Sequence, residues 1–163
     1  MTPLNAALAL AAEGHRVFFC NINKRPCCSN GFHDAQNDLS ALRELYQQHP
    51  GPLVAIATGE TIDVLDIDKK HAEAVEWFQR QRDRLPKTRT HRTGSGGLHF
   101  IFRCHHGLRN WTAWPVRGVD CRAAGGYVIW WPAAGKPVLD DAPRAAWPDW
   151  LLEQRVKIGR AHV

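Results

Sequence analysis

The segment Val64-Leu65-Asp66-Ile67-Asp68 sets two carboxylates two residues apart in an aliphatic run. In a strand, residues two apart share a face. Asp66 and Asp68 therefore project together, while Leu65 and Ile67 point into a core. Two adjacent carboxylates repel unless a cation sits between them. Oxygen ligands of this kind suit magnesium or manganese. Asp63 falls on the opposite parity and stands apart from the pair. The plain alternative is a strand end with two solvated acids, and a lone Asp-x-Asp is used by glycosyltransferases, phosphatases and polymerases alike.

A second cluster is Thr93-Gly94-Ser95-Gly96-Gly97-Leu98-His99-Phe100-Ile101-Phe102. Leu98, Phe100 and Phe102 share one strand face and read as core; His99, Ile101 and Arg103 take the other. The glycine-rich turn before His99 offers backbone N–H groups to phosphates, and Ser95 adds a hydroxyl. Further along, Gly118-Val119-Asp120-Cys121-Arg122 puts Asp120 and Arg122 on one face. A third carboxylate beside Asp66 and Asp68 would complete a two-metal cage; the alternative is a surface ion pair of small energetic weight. In Asn23-Lys24-Arg25-Pro26, two cations could reach phosphate or simply be solvated.

The elements that must position these residues follow from periodicity and punctuation. Leu4, Leu8 and Ala11 or Ala12 recur at helical spacing and stop at Gly14. Val17–Cys20 reads as a buried strand and Lys24–Asp34 as a loop. Leu39, Leu42, Leu45 and Tyr46 form one face of a helix with Asp38 as N-cap. Strands are predicted at Leu53–Ala57 and Ile62–Asp68, and a helix over Ala72–Arg84. Thr88–Thr93 and Leu98–Arg103 form a hairpin around Gly94–Gly97. Val116–Arg122 and Tyr127–Trp131 read as a second strand pair around Ala123–Gly126. Pro148 opens a last helix, Asp149–Gln154. No GxGxxG follows a strand, so the pattern predicts a mixed α/β sandwich rather than a Rossmann domain.

The chain has 163 residues, 44% apolar and 23% charged. These values favour one globular domain and argue against disorder, collagen or a coiled coil. No apolar run reaches the roughly 18–20 residues of a membrane span, and the opening residues lack the basic flank of a signal peptide. A cytoplasmic protein with reduced thiols and no membrane partner is expected. The five cysteines are odd in number and contain no CxxC. Cys27, Cys28 and His33, or Cys104, His105 and His106, could contribute to zinc, but four ligands at familiar spacing are missing, so zinc is not expected. The net charge is +5. It is concentrated in Arg80, Arg82, Arg84, Lys87, Arg89, Arg92, Arg103 and Arg109, with Asp83 as the only acid in that stretch. A basic block beside an acidic cluster suggests a polyanion binder with a cation site. Trp111 and Trp114 either stack on unpaired bases or belong to the core, and the core is preferred. The last six residues, 158–163, match the translation of a common sequencing adapter and are set apart as a non-native tail, leaving 1–157 as the domain.

The order of these motifs resembles the N-terminal domain of bifunctional primase–polymerases, within the archaeo-eukaryotic primase superfamily. The resemblance runs through Lys24-Arg25-Pro26, Gly31-Phe32-His33-Asp34-Ala35, Ala57-Thr58-Gly59, Leu65-Asp66-Ile67-Asp68, Ser95-Gly96-Gly97-Leu98-His99, Val119-Asp120-Cys121-Arg122, Gly125-Gly126-Tyr127-Val128 and Pro148-Asp149-Trp150-Leu151-Leu152. It implies an α+β fold with a central RRM-like antiparallel sheet and an N-terminal αβ module. It further implies a template-dependent nucleotidyltransferase that makes or extends primers in phage, plasmid or mobile-element replication. Asp66, Asp68 and Asp120 would bind two divalent ions, Mg2+ or Mn2+, with His99 as a fourth catalytic group. Lys24, Ser95, Gly96, Gly97, His99 and Arg122 would contact the nucleoside triphosphate. Arg89, Arg92, Arg103 and Arg109 would meet the single-stranded DNA template and primer, and a helicase, fused or separate, would be a partner. The competing readings are a metal-dependent phosphoesterase or nuclease using the same carboxylates, and an inactive single-strand-binding module.

Overall fold

Thr2 accepts a hydrogen bond from the Asn5 amide at 3.1 Å, and Pro3 occupies the first helical turn, where its missing N–H costs nothing. These two residues start α1 (Pro3–Ala12) in the computed structural model, which describes residues 1–154. The expected tail at 158–163 and the domain end at 157 lie outside the described residues. The chain continues as β1 (Val17–Cys20), α2 (Leu39–Gln48), β2 (Leu53–Ala57), β3 (Ile62–Ile67) and α3 (Ala72–Gln81). It ends with β4 (Arg89–Arg92), β5 (Leu98–Arg103), β6 (Val119–Arg122), β7 (Tyr127–Ile129), β8 (Val138–Asp140) and helical turns over 149–154. Asp38 caps α2 as expected, accepting from the Ala41 amide at 2.8 Å.

Two antiparallel sheets result, ordered β1-β2-β7 and β6-β3-β5-β4-β8. This is the expected α+β class. β3 lies inside the larger sheet, and its apolar residues Ile62, Val64, Leu65 and Ile67 are buried on its two faces. Ile62, Val64 and Ile101 face one core with α1, α2, Val17, Phe19 and Ile56. Leu65, Ile67, Phe100, Phe102 and Cys121 face a second core with α3, Trp114 and Trp147. Trp114 is fully buried there and is core, whereas Trp111 is half-buried and packs against the margin of the same cluster.

Three expectations need correction. β6 and β7 do not pair with each other: β6 joins β3, and β7 joins β2 in the other sheet. The link Ala123–Gly126 crosses between sheets, held where Thr58 Oγ1 donates to the Ala123 carbonyl at 2.7 Å and the Thr58 amide to the Gly126 carbonyl at 3.0 Å. The β2–β3 link crosses at the same place. β6 also starts at Val119, not Val116, because the chain before it folds back on the strand edge, with Trp114 N donating to Val119 O at 2.7 Å and Trp111 bridging to Cys121. The helix predicted to run to Arg84 tightens into a 3-10 turn at Arg82–Arg84, where the Arg84 guanidinium covers Trp150 at 4.2 Å.

Asp63 faces the second core and is fully buried. Its Oδ2 accepts from Trp147 Nε1 and from the His105 amide, each at 2.8 Å, fastening β3 to two distant segments. Burial pushes its carboxyl above the ordinary range, against the pull of these donors. A group with a raised folded pKa gives stability that is full below its unfolded pKa and is lost as pH rises through the folded one. The urea midpoint of the parent should therefore fall relative to that of Asp63→Asn as pH climbs from about 4. Parallel pH profiles for the two proteins would show that Asp63 carries no such penalty.

Candidate active site

The face of the larger sheet that begins apolar at Ile62 and Val64 turns polar at its other end. Register does this. Asp120 on β6 lies opposite Asp66 on β3, Asp66 opposite His99 on β5, and His99 opposite His91 on β4. Directly paired residues have Cβ atoms about 4.5–5.5 Å apart, so four polar side chains form one row across four strands. The row borders a cavity of about 390 Å³ lined by Asp66, Asp68, Asp120, His99, Ser95, Lys24 and Arg122 among others. All three expected carboxylates, His99, Ser95 and both expected non-turn cations thus share one cavity.

His99 Nε2 stands 3.4 Å from Asp66 Oδ2. Burial would raise the Asp66 carboxyl, but the facing His99 and the charges of Arg122 and Lys24 outweigh it and hold the group below the usual carboxylate range. Asp120 is already engaged: Oδ2 accepts from Arg122 Nη2 at 2.8 Å and Oδ1 from the Ala113 amide at 2.8 Å. Asp68 follows the end of β3, its amide bonded to Gly118 O and its Oδ1 accepting from the Lys70 amide at 2.9 Å. Three carboxylates are the hard-oxygen donor set that Mg2+ or Mn2+ prefers, and Asp66 and Asp120 stand side by side to supply it. Among the described residues, no three of His, Cys, Asp and Glu are yet drawn together as a metal-holding group. The donor chemistry fits such ions.

The glycine turn is organised differently from the expectation of open amides. The Gly96 amide bonds Thr93 O at 3.0 Å, and the Gly97 amide bonds Thr93 Oγ1 at 2.9 Å. Both are used inside the turn, and neither glycine lines the cavity, whereas Thr93 and Ser95 do. Arg92 Nη1 donates to Gly96 O at 3.1 Å and latches the tip. Arg89 also points inward, to His91 and Trp130. Arg103 and Arg109 are exposed. Of the four expected nucleic-acid cations, two are thus tied into the fold and two face solvent.

Lys24 reaches the cavity from a loop with a left-handed backbone, φ 66°. Asn21 Oδ1 accepts from the Asn23 and Arg25 amides, and Tyr127 Oη donates to Lys24 O at 2.8 Å. A non-glycine residue held at positive φ costs free energy that the surrounding bonds must offset. Sequence reasoning missed Phe32, Asn110 and Trp131, which also line the cavity. Gly94 leaves room for the Trp131 ring, since a Cβ there would stand 2.3 Å from it.

Two antiparallel sheets with a carboxylate–histidine row, flanking cations and a polar cavity define an α+β domain with a charged cleft. The family model for the N-terminal domain of bifunctional DNA primase/polymerase, Prim-Pol, matches residues 7–150, and the chain belongs to this family. Membership supports a function of primase/polymerase type. No curated protein matches the chain. Among the described residues, no helix is long and apolar enough to cross a membrane.

Proposed function

We propose that this domain is a template-dependent nucleotidyltransferase that makes or extends primers, serving the replication of a phage, plasmid or other mobile element. The observation that carries the reading is the in-register row Asp120–Asp66–His99 beside Ser95, Lys24 and Arg122 on one cavity. Asp66, Asp68 and Asp120 would hold the divalent ions, which would supply Lewis-acid stabilisation of phosphoryl oxygens and a more acidic primer hydroxyl. His99 and Ser95 donate to phosphate oxygens, and Lys24 and Arg122 neutralise the triphosphate. The work of the protein is positioning and charge stabilisation, as phosphoryl-type transfers require.

Incubating the protein with a primed single strand, nucleoside triphosphates and Mg2+ or Mn2+ tests this directly. Longer products are expected. Shorter products would favour the phosphoesterase reading, and binding without turnover the inactive module.

The exposed cations make a second measurable claim. Each phosphate contact to a single strand contributes about −0.7 to the slope of log affinity against log salt. Arg103→Ala or Arg109→Ala should flatten the slope by roughly that amount, while Arg82→Ala should not. Identical slopes for all variants and the parent would place the template track elsewhere.

A further inference from the structure

His91 is fully buried, yet its ring is not in apolar surroundings alone. Arg89 Nε donates to His91 Nε2 at 2.7 Å. The ring meets Trp130 edge-on, centroids 4.6 Å apart, and the Arg89 guanidinium lies 5.3 Å from the same indole. A ring nitrogen that accepts carries no proton, so neutral His91 bears its proton on Nδ1. Burial, then the Arg89 charge and His99, push its proton affinity down to about 3, so the ring is neutral at pH 7.

His99 has the mirror-image bookkeeping of protons. Its Nε2 faces the Asp66 carboxylate at 3.4 Å. An ionised carboxylate only accepts, so the proton of neutral His99 sits on Nε2 and its Nδ1 is bare. The Nδ1 atoms of His91 and His99 are both buried without a hydrogen-bond partner, and the two residues are paired in register. One is a donor and the other an acceptor. Two unpartnered polar atoms of opposite sense on paired residues are complementary, and one bridging water would satisfy both.

We propose that Arg89 and His91 are a positioning couple that fixes His99 in its Nε2–H tautomer through the two Nδ1 atoms. The chain Arg89, His91, His99, Asp66 then has every donor pointing the same way, from the buried end of β4 into the cavity. His99 thereby presents an N–H, not a lone pair, to whatever occupies the site. The effect on nucleotide binding rests on the reading of His99 as a phosphate contact; the tautomer does not.

The test is long-range proton–nitrogen NMR on protein carrying 15N-histidine, beside steady-state kinetics. In His91→Asn the side-chain amide nitrogen takes the place of Nδ1–H. His91→Gln can still accept from Arg89 but has no donor at that place. Parent and His91→Asn should show His99 as a single Nε2–H tautomer, and His91→Gln a mixture. The nucleotide KM of His91→Gln should rise roughly three- to tenfold, the weight of one hydrogen bond, with kcat changed less and His91→Asn restoring it. Arg89→Met, which frees His91 Nε2, should also give mixed His99 tautomers and serves if His91→Gln does not fold. A single Nε2–H tautomer of His99 in both folded variants overturns the proposal. Mixed tautomers with an unchanged KM would uphold the couple and overturn the phosphate role of His99.

Discussion

Asp66→Asn should abolish nucleotide incorporation by a protein that folds normally. Asp66 is the centre of the polar row, with Asp120 on one side and His99 on the other. Its carboxyl is held ionised by the facing His99 and by the Arg122 and Lys24 charges despite burial. The amide keeps the volume and removes the charge, leaving those cations without their shared counter-charge and the cavity without its central oxygen donor. Loss of one preorganised charge-stabilising group costs about 10²–10³ in rate, and loss of a metal ligand adds to it. Single-turnover primer extension gives the rate, and near-ultraviolet circular dichroism checks the fold. Extension within tenfold of the parent (about 1.4 kcal/mol) would remove Asp66 from the chemistry.

Gly59→Ala should be the most destabilising small substitution in the fold. Gly59 sits at φ +82°, and a Cβ there would lie 2.2 Å from Ala124 N and 2.3 Å from Ala124 Cα. Both obstacles are backbone, in the segment that crosses between sheets against the β2–β3 link. Left-handed strain costs about 1–2 kcal/mol and overpacking a further 1–3 kcal/mol. The sum is a large part of the 5–15 kcal/mol that holds a typical domain together. Gly125→Ala is the matched control: its φ is +90°, but nothing lies within 4 Å of the added methyl. Urea unfolding of both variants separates strain from collision. Equal losses would mean that the two crossing segments have room to part.

Local pattern carried much of this fold. β1 and β2 fall at the residues that apolar runs predict, and the Asp38 cap and Gly94–Gly97 turn are where side-chain chemistry puts them. Partnership between distant strands was not legible. Val119–Arg122 and Tyr127–Ile129 are separated by a short glycine-bearing link and look like a hairpin, but their burial demands lie in different sheets. β8 has only three residues, too few for alternation to show. The Asp66–Asp68 face was readable from parity alone, whereas the neighbourhood of Asp120 depended on a register between strands more than fifty residues apart. His91 was within reach only with a five-residue loop, 93–97, which pairs Arg92 with Leu98 and His91 with His99; counting back from Gly94–Gly97 alone pairs His91 with Phe100. The use of the Gly96 and Gly97 amides inside the turn was not, because Thr93 Oγ1 could equally have faced solvent.

Two of the cavity's walls are unlike. One is the side-chain row of the larger sheet; the other is Gly125, Gly126 and the edge of β7, where the smaller sheet ends. Strand residues send their side chains above and below the sheet, so an edge shows mainly peptide groups. Peptide groups are the same whatever the residue. Point mutation therefore has little grip on ligand preference at this wall, and drift in selectivity among descendants of this chain should be written on the opposite one.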